Sequence, residues 1–375
     1  MSAKPTVLEA LRRFLPVFLA ETPTLSPHQW RAIWAITHCR TPTLGAEAFF
    51  CEPCGRVHLA YHSCNHKACP QCGHADTAAW IQRELAKRIN APYFLVTFTL
   101  PSELRGEFFG PRAKQAYGLF FAAVSAALAE KLATDKGLRA QVNGFIAALH
   151  TWTQCLEFHP HIHCLVPGAG FNPKGQPVRV KKADFLVYLP HLQAAFRQHM
   201  RRLLEQNQWQ VDPVVWTKDW GVHIQPAGSG VAALKYLGAY VARTAISDRR
   251  MLSQNATSVC FHWKDRSDHN RTKTLELPGV EFVRRYLRHV LPRGLRSVRY
   301  YGFCHPAAKA NRLRLQFATA MPVQLGATVN TIQKTQGPSC PNCGAPMRPV
   351  FRILPPYQGR APPKTEPVSI APSIP

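Results

Sequence analysis

Residues 156–168 read LEFHPHIHCLVPG, an apolar run with histidine at every second position: His159, His161 and His163. Side chains on a strand alternate between faces, so three rings spaced in this way project to one side. Upstream, GFIAALHTWTQ at 144–154 is a second strand-like run, and the short connection between the two predicts a hairpin. His159 precedes Pro160, which holds it extended and marks the end of the turn. Cys164 should face the opposite way, into a core. An H-x-H pair offers two imidazole nitrogens to one divalent ion, although two hydrogen-bonded rings without a metal make the same pattern. Alternate residues of one strand lie ~6.6 Å apart, so a three-histidine zinc hydrolase built from this strand alone is disfavoured.

Helical spacing of apolar groups marks 6–20 and 26–38, with Pro27 following Ser26 as a helix start requires. A cysteine-rich, loop-like segment covers 39–75 and the charged helix TAAWIQRELAKRIN follows it. A strand is predicted at 92–100, a long helix at 112–134 and another at 190–206. WGVHIQP reads as a strand, and GSGVAALKYLGAYVARTAIS as a helix with glycines at its start. On that helix Tyr236 and Tyr240 stand four residues apart and share a face. The fold class expected is α+β with a central antiparallel sheet. There is no internal repeat.

The chain has 375 residues, and its 46 Lys and Arg against 21 Asp and Glu give a formal charge of +25. Such an excess calls for a polyanionic partner, with nucleic acid ahead of an anionic membrane surface. No apolar run is expected to span a membrane, and the first residues lack the pattern of a signal peptide, so a cytoplasmic protein is expected.

Twelve cysteines in such a chain argue for metal sites or packing rather than disulfides. CEPC at 51–54 and CPQC at 69–72 are two knuckles, each followed by glycine (Gly55, Gly73). Cys51, Cys54, Cys69 and Cys72 are expected to close one four-sulfur structural zinc site. Cys64, with Cys39, His62 and His66 near it, is a candidate for a second ion or for packing. CPNC at Cys340 and Cys343 is a lone knuckle, a further candidate for the second zinc, that Cys304 and His305 could complete. The proline-rich end is expected to be a disordered tail.

In order along the chain, LVTFTL, the one-faced histidine pair and the tyrosine pair resemble the three motifs of the HUH endonucleases. That superfamily comprises rolling-circle initiators, relaxases and single-strand transposases. With the N-terminal knuckles, LHTWTQ…HPHIHCLVPG, KYLGAYVARTAIS and FVRRYLRHVLPRGLRSVRYYGF, the chain is similar to the two-tyrosine transposases of the insertion-sequence-91 family over roughly residues 8–345. It departs from the family pattern at SCNHKACPQC, where Ala68 replaces a histidine, and at LGAE, where Glu47 replaces another.

The resemblance implies an HUH nuclease domain that cleaves and rejoins single-stranded DNA. Tyr236 and Tyr240 would be the nucleophiles, forming 5′-phosphotyrosine intermediates. It implies Mg²⁺ or Mn²⁺ held by His161 and His163, with a third ligand from the preceding strand. Gln154 is the first choice and Glu157 the alternative, while Lys235 and Arg243 would favour the phenolate. Arg284, Arg285 and Arg288, interleaved with Tyr286, Tyr300 and Tyr301, are expected to bind DNA by phosphate neutralisation and stacking. Domains are expected at 1–90 (helical, zinc-binding), 91–310 (nuclease), 311–350 (extension with a knuckle) and 351–375 (tail). The alternatives are a rolling-circle replication initiator and a non-catalytic zinc-dependent DNA-binding regulator.

Overall fold

A computed structural model describes residues 4–22, 24–72, 77–241, 244–321 and 337–355, leaving aside the side chains of 239–241. In chain order the elements begin with α1 (Val7–Glu21), α2 (Pro27–His38), β1 (Ala46–Cys51), β2 (Arg56–Tyr61), α3 (Thr77–Leu85) and β3 (Tyr93–Thr99). Next come α4 (Ala113–Thr134), β4 (Gly144–Trp152), β5 (Phe158–Pro167), β6 (Ala169–Phe171), β7 (Pro177–Arg179), α5 (Leu189–Gln206) and β8 (Gly221–Pro226). The chain continues through α6 (Val231–Val241), β9 (Met251–Gln254), β10 (Ser258–Asp265), β11 (Arg271–Pro278) and α7 (Gly279–Arg288). It ends with β12 (Val298–Gly302), α8 (Lys309–Ala318) and β13 (Arg348–Ile353).

These elements form two compact units: Met1–His74 with Arg243–Val290 and Leu325–Pro375, and Ala75–Ala242 with Leu291–Gln324. The boundaries expected from sequence, near 90 and 310, differ from these. Segment 243–290 and the C-terminal knuckle join the N-terminal residues, because strand pairing and packing, which linear composition does not record, hold them there. Residues 351–353, assigned to a disordered tail, are instead the end of β13, and 356–375 lie outside the described residues.

The second unit is built on a five-stranded antiparallel sheet in the order β12-β4-β5-β3-β8. Strand parity divides its side chains. Phe94, Val96, Phe98, Phe145, Ala147, Leu149, Ile162, Cys164 and Val166 form one core with Phe120, Phe121 and Val124 of α4 and Phe196 of α5. The opposite parity, Tyr93, Ile146, Ala148 and Leu165, packs on Trp80 of α3 and on Leu234 and Leu237 of α6. Helices therefore cover both faces, and the histidines of β5 lie on the α6 side.

α4 is long and apolar enough to cross a membrane by length and composition, where none was expected. Its Phe120, Phe121, Val124 and Leu128 are buried in the core just described.

Two glycines set α6 in place. Gly230, before its first turn, has φ +77°, and a Cβ there would meet the Tyr93 ring at 2.6 Å. Gly238, between the two tyrosines, lets α6 approach α3, since a Cβ would fall 2.5 Å from Ile81 Cγ1. Gly238→Ala is expected to lower stability by about 1–3 kcal/mol, because the two helices must separate to admit the methyl. Urea unfolding checks it, and an unchanged midpoint would refute the close approach.

In the first unit, α1 and α2 each begin with a capping box, Thr6 with Glu9 and Ser26 with Gln29. β1 is the centre of a three-stranded sheet in the order β13-β1-β2, so the segment read as a cysteine-rich loop contains two strands. A second sheet runs β11-β10-β9. α7 is strongly amphipathic and buries Phe282, Val283, Tyr286 and Leu287.

Candidate metal centres and the tyrosine helix

The β4–β5 register places His150 directly opposite His161, and Ala148 opposite His163. Position 154 lies beyond the ladder, so Gln154 does not stand across from His161 as the sequence suggested. The cause is a longer turn. Thr153 Oγ1 accepts from the backbone N–H groups of Cys155 and Glu157, and Thr153 N–H donates to the Glu157 carbonyl. Leu156, with φ +61°, is fully buried beneath that turn. Glu157, the alternative ligand, is thus a turn residue.

His150, His161 and His163 share one face and present ring nitrogens within 4.8 Å of one another. Nδ1 of His150 lies 2.9 Å from Nε2 of His161. Two nitrogens bound side by side to one ion at ~2.1 Å would stand ~3.0 Å apart, so this spacing already suits a shared metal. His161 Nδ1 donates to the His159 carbonyl at 2.7 Å, which leaves Nε2, the nitrogen facing His150, as its candidate ligating atom. His163 Nδ1 lies 2.9 Å from Thr97 Oγ1 on β3, directly across the ladder. Partners on the far nitrogen are how ligating histidines are oriented. His159 lies on the rim of the set, 5.4 Å from His161 between ring centres, with its pKa lowered by burial.

Thr97→Val keeps the shape but removes that hydroxyl. It is expected to weaken divalent-metal affinity about 10- to 100-fold, with Thr97→Ser retaining most of it. Calorimetric titration with Mn²⁺ measures this, and equal affinities in Val and Ser variants would rule out the orienting role.

Across from this face α6 presents Tyr236, whose ring meets His163 edge-on at 5.7 Å and 85°. Lys235 beside it is exposed. Tyr240 lies on the same helix with its side chain outside the described set, and Arg243 lies outside the described residues.

Among the cysteines, the expected quartet of Cys51, Cys54, Cys69 and Cys72 is not brought together. Two separate quartets form instead: Cys39, Cys64, Cys69 and Cys72, and Cys51, Cys54, Cys340 and Cys343. In the first, Cys72 Sγ lies 3.5 Å from Cys39 Sγ and 3.6 Å from Cys64 Sγ. Cys39 is the residue that closes α2, and Cys64 follows β2. Sulfurs ~3.8 Å apart are what tetrahedral zinc with ~2.3 Å bonds requires, so four thiolates here fit the ion. A hydrogen bond from the Cys64 thiol draws the Cys69 pKa below that of an ordinary thiol, which favours a thiolate at this position. Cys304 and His305 belong to the other unit and do not complete the C-terminal knuckle. Nor does the first quartet draw on His62 or His66: His62 Nδ1 bonds the Leu44 carbonyl, and His66 Nδ1 accepts from the Ala68 N–H.

A family model described as "Transposase zinc-binding domain" matches residues 10–100, and one described as "Putative transposase" matches 144–312. The chain is 36% identical over 355 residues to the "Putative transposase y4qJ" of Sinorhizobium fredii, covering 89% of this chain and 87% of that protein. The chain belongs to the insertion-sequence-91 family of transposases. It is also 26% identical over 339 residues to the "Transposase for insertion sequence element IS801" of Pseudomonas savastanoi pv. phaseolicola, covering 85% and 78% of the two chains. No solved structure matches.

In this transposase the arginine-dense segment is divided between the two units at residue 290. Arg284 and Arg285 are both ion-paired with Glu281, at 2.7 and 2.9 Å, and Arg288 is exposed. The three tyrosines named as stacking platforms are engaged within the fold. Tyr286 is buried and its hydroxyl donates to the Ala68 carbonyl at 2.6 Å. Tyr300 bonds Glu84 and Trp80, and Tyr301 stacks on Phe145.

Sequence reasoning missed His150 as a candidate ligand and Thr97 as the partner of His163 Nδ1. Both signals were present, His150 as the polar break in GFIAALHTW and Thr97 in LVTFTL, but their use depended on the register.

Proposed function

We propose that this transposase is an HUH-type nuclease that cuts and rejoins single-stranded DNA through 5′-phosphotyrosine intermediates. The observation that carries the reading is His150, His161 and His163 converging beside Tyr236. A divalent ion held by the three imidazoles would polarise a non-bridging oxygen of the scissile phosphate. Tyr236 supplies the attacking hydroxyl. Its oxygen bonds to phosphorus as the bond to the 3′ oxygen breaks; the phenol loses its proton and the leaving 3′ oxygen gains one. The phosphodiester energy is retained in the tyrosine ester, so rejoining needs no nucleotide cofactor. Tyr240 would then accept the second strand, and Lys235 and Arg243, both cationic, would favour the phenolate.

Three imidazoles are a softer ligand set than two with an amide oxygen. They suit Mn²⁺ better than Mg²⁺, which prefers oxygen and water. The net charge of +25 provides the electrostatic attraction to a DNA strand, and exposed Arg288 is a contact candidate together with Arg284 and Arg285. Its place of action would be the bacterial cytoplasm, on the element's ends and its target.

The test is incubation of the protein with single-stranded DNA carrying the element ends, plus Mn²⁺ or Mg²⁺, followed by denaturing electrophoresis. A protein-linked band that survives denaturant, stronger with Mn²⁺, is expected. Salt-sensitive binding without any adduct would favour the non-catalytic regulator instead, and adducts at a replication origin rather than element ends would favour the replication initiator.

A further inference from the structure

We propose that Cys51, Cys54, Cys340 and Cys343 form a second zinc site that fastens the C-terminal segment to the N-terminal sheet. The first quartet, Cys39, Cys64, Cys69 and Cys72, lies wholly inside the matched zinc-binding domain at 10–100. Cys340 and Cys343 lie beyond both matched regions, which end at residues 100 and 312.

Four features converge on these sulfurs. The Sγ atoms of Cys51 and Cys343 are 3.5 Å apart and those of Cys54 and Cys340 3.9 Å, around the ~3.8 Å edge of a zinc–thiolate tetrahedron. A disulfide would need ~2.05 Å, and all four cysteines are free. The two knuckles have the same turn. In CEPCG the Gly55 N–H donates to the Cys51 carbonyl at 2.9 Å, and in CPNCG the Gly344 N–H donates to the Cys340 carbonyl at 2.9 Å. Gly55 and Gly344 have φ +65° and +75°, a conformation that suits glycine at that step.

Strand pairing brings the knuckles together. β13 runs antiparallel to β1 from Ala46↔Ile353 to Phe50↔Arg348, and Cys51 is the next residue of β1. An outer partner is also in place, since His58 Nε2 lies 3.6 Å from Cys340 Sγ and would donate to the thiolate. Among the described residues the apolar packing around the quartet is small: Phe49, Ala345 and Met347. So little buried surface would hold a terminal segment weakly without a cross-link, which a tetrahedral ion supplies. Four sulfurs leave no open position, so the site is structural and selects zinc.

Full-length protein purified under reducing conditions is expected to carry two zinc ions per chain by elemental analysis. Alkylation mapped by mass spectrometry is the second measurement. Cys343 is exposed and Cys54 half-buried, yet both should resist iodoacetamide until a chelator is added. The Cys340→Ser/Cys343→Ser variant should keep one zinc and lose protection at Cys51 and Cys54 only. One zinc in the unmodified protein, or prompt alkylation of Cys343 before chelation, overturns the site. The labelling of the unmodified protein decides the matter even if the variant fails to fold. Neither readout involves DNA cleavage, so the proposal stands or falls separately from the nuclease reading.

Discussion

Replacing His150 with alanine is expected to slow metal-dependent strand cleavage by on the order of 10³-fold while leaving DNA binding nearly unchanged. A ligated ion contributes several kcal/mol of transition-state stabilisation, and each 1.36 kcal/mol is a tenfold rate change. His150 and His161 are the two rings whose nitrogens already stand 2.9 Å apart, so on the proposed reading removing either would leave the ion with an incomplete set. His150→Gln should recover part of the rate, since an amide oxygen can ligate, and should move the preference back toward Mg²⁺. Single-turnover cleavage in Mn²⁺ and in Mg²⁺ measures both effects. His150 is buried, so a thermal melt must accompany the kinetics. A folded His150→Ala protein that cuts at the normal rate would remove His150 from the metal set and reopen the choice of Gln154.

Tyr236→Phe is expected to abolish the covalent DNA adduct formed at that residue, a loss of at least about 10³-fold in first-strand cleavage. The substitution keeps the ring, which packs against the core cluster that includes Trp80, Leu234 and Leu237, so the fold should be little affected. What it removes is the hydroxyl on the side chain that stands 5.7 Å from the His163 ring. Peptide mapping of the adduct formed by the unmodified protein locates the phosphotyrosine independently. Should Tyr236→Phe form a normal adduct mapped to Tyr240, the order of attack is reversed. An adduct at neither residue in any variant would end the tyrosine mechanism.

Much of the architecture was legible in the amino-acid order. The helices at 7–21, 27–38, 113–134 and 189–206, and the strands at 93–99 and 221–226, fall close to the places that periodicity and capping residues predicted. Local physics accounts for that. A Ser-Pro start, a run of β-branched residues or a four-residue apolar spacing acts within a few residues of itself. The one-faced projection of His161 and His163 is of this kind, as is the burial of Cys164 on the other face.

What only the tertiary structure decided is which of these local pieces meet. Three knuckles share the pattern C-x-x-C-G, at 51–55, 69–73 and 340–344, and nothing within a knuckle specifies its partner. Sequence proximity favoured 51–55 with 69–73. Antiparallel pairing of β13 on β1 instead delivers the knuckle nearly three hundred residues away, while Cys39 and Cys64 complete the other quartet. The third histidine follows the same rule. Whether Gln154 or His150 faces His161 depends on the number of residues in the turn, which Thr153 sets by gathering two backbone amides. Residue types and strand parity are one-dimensional properties and can be read from the chain, whereas register and pairing are contacts between distant segments and exist only in the folded molecule.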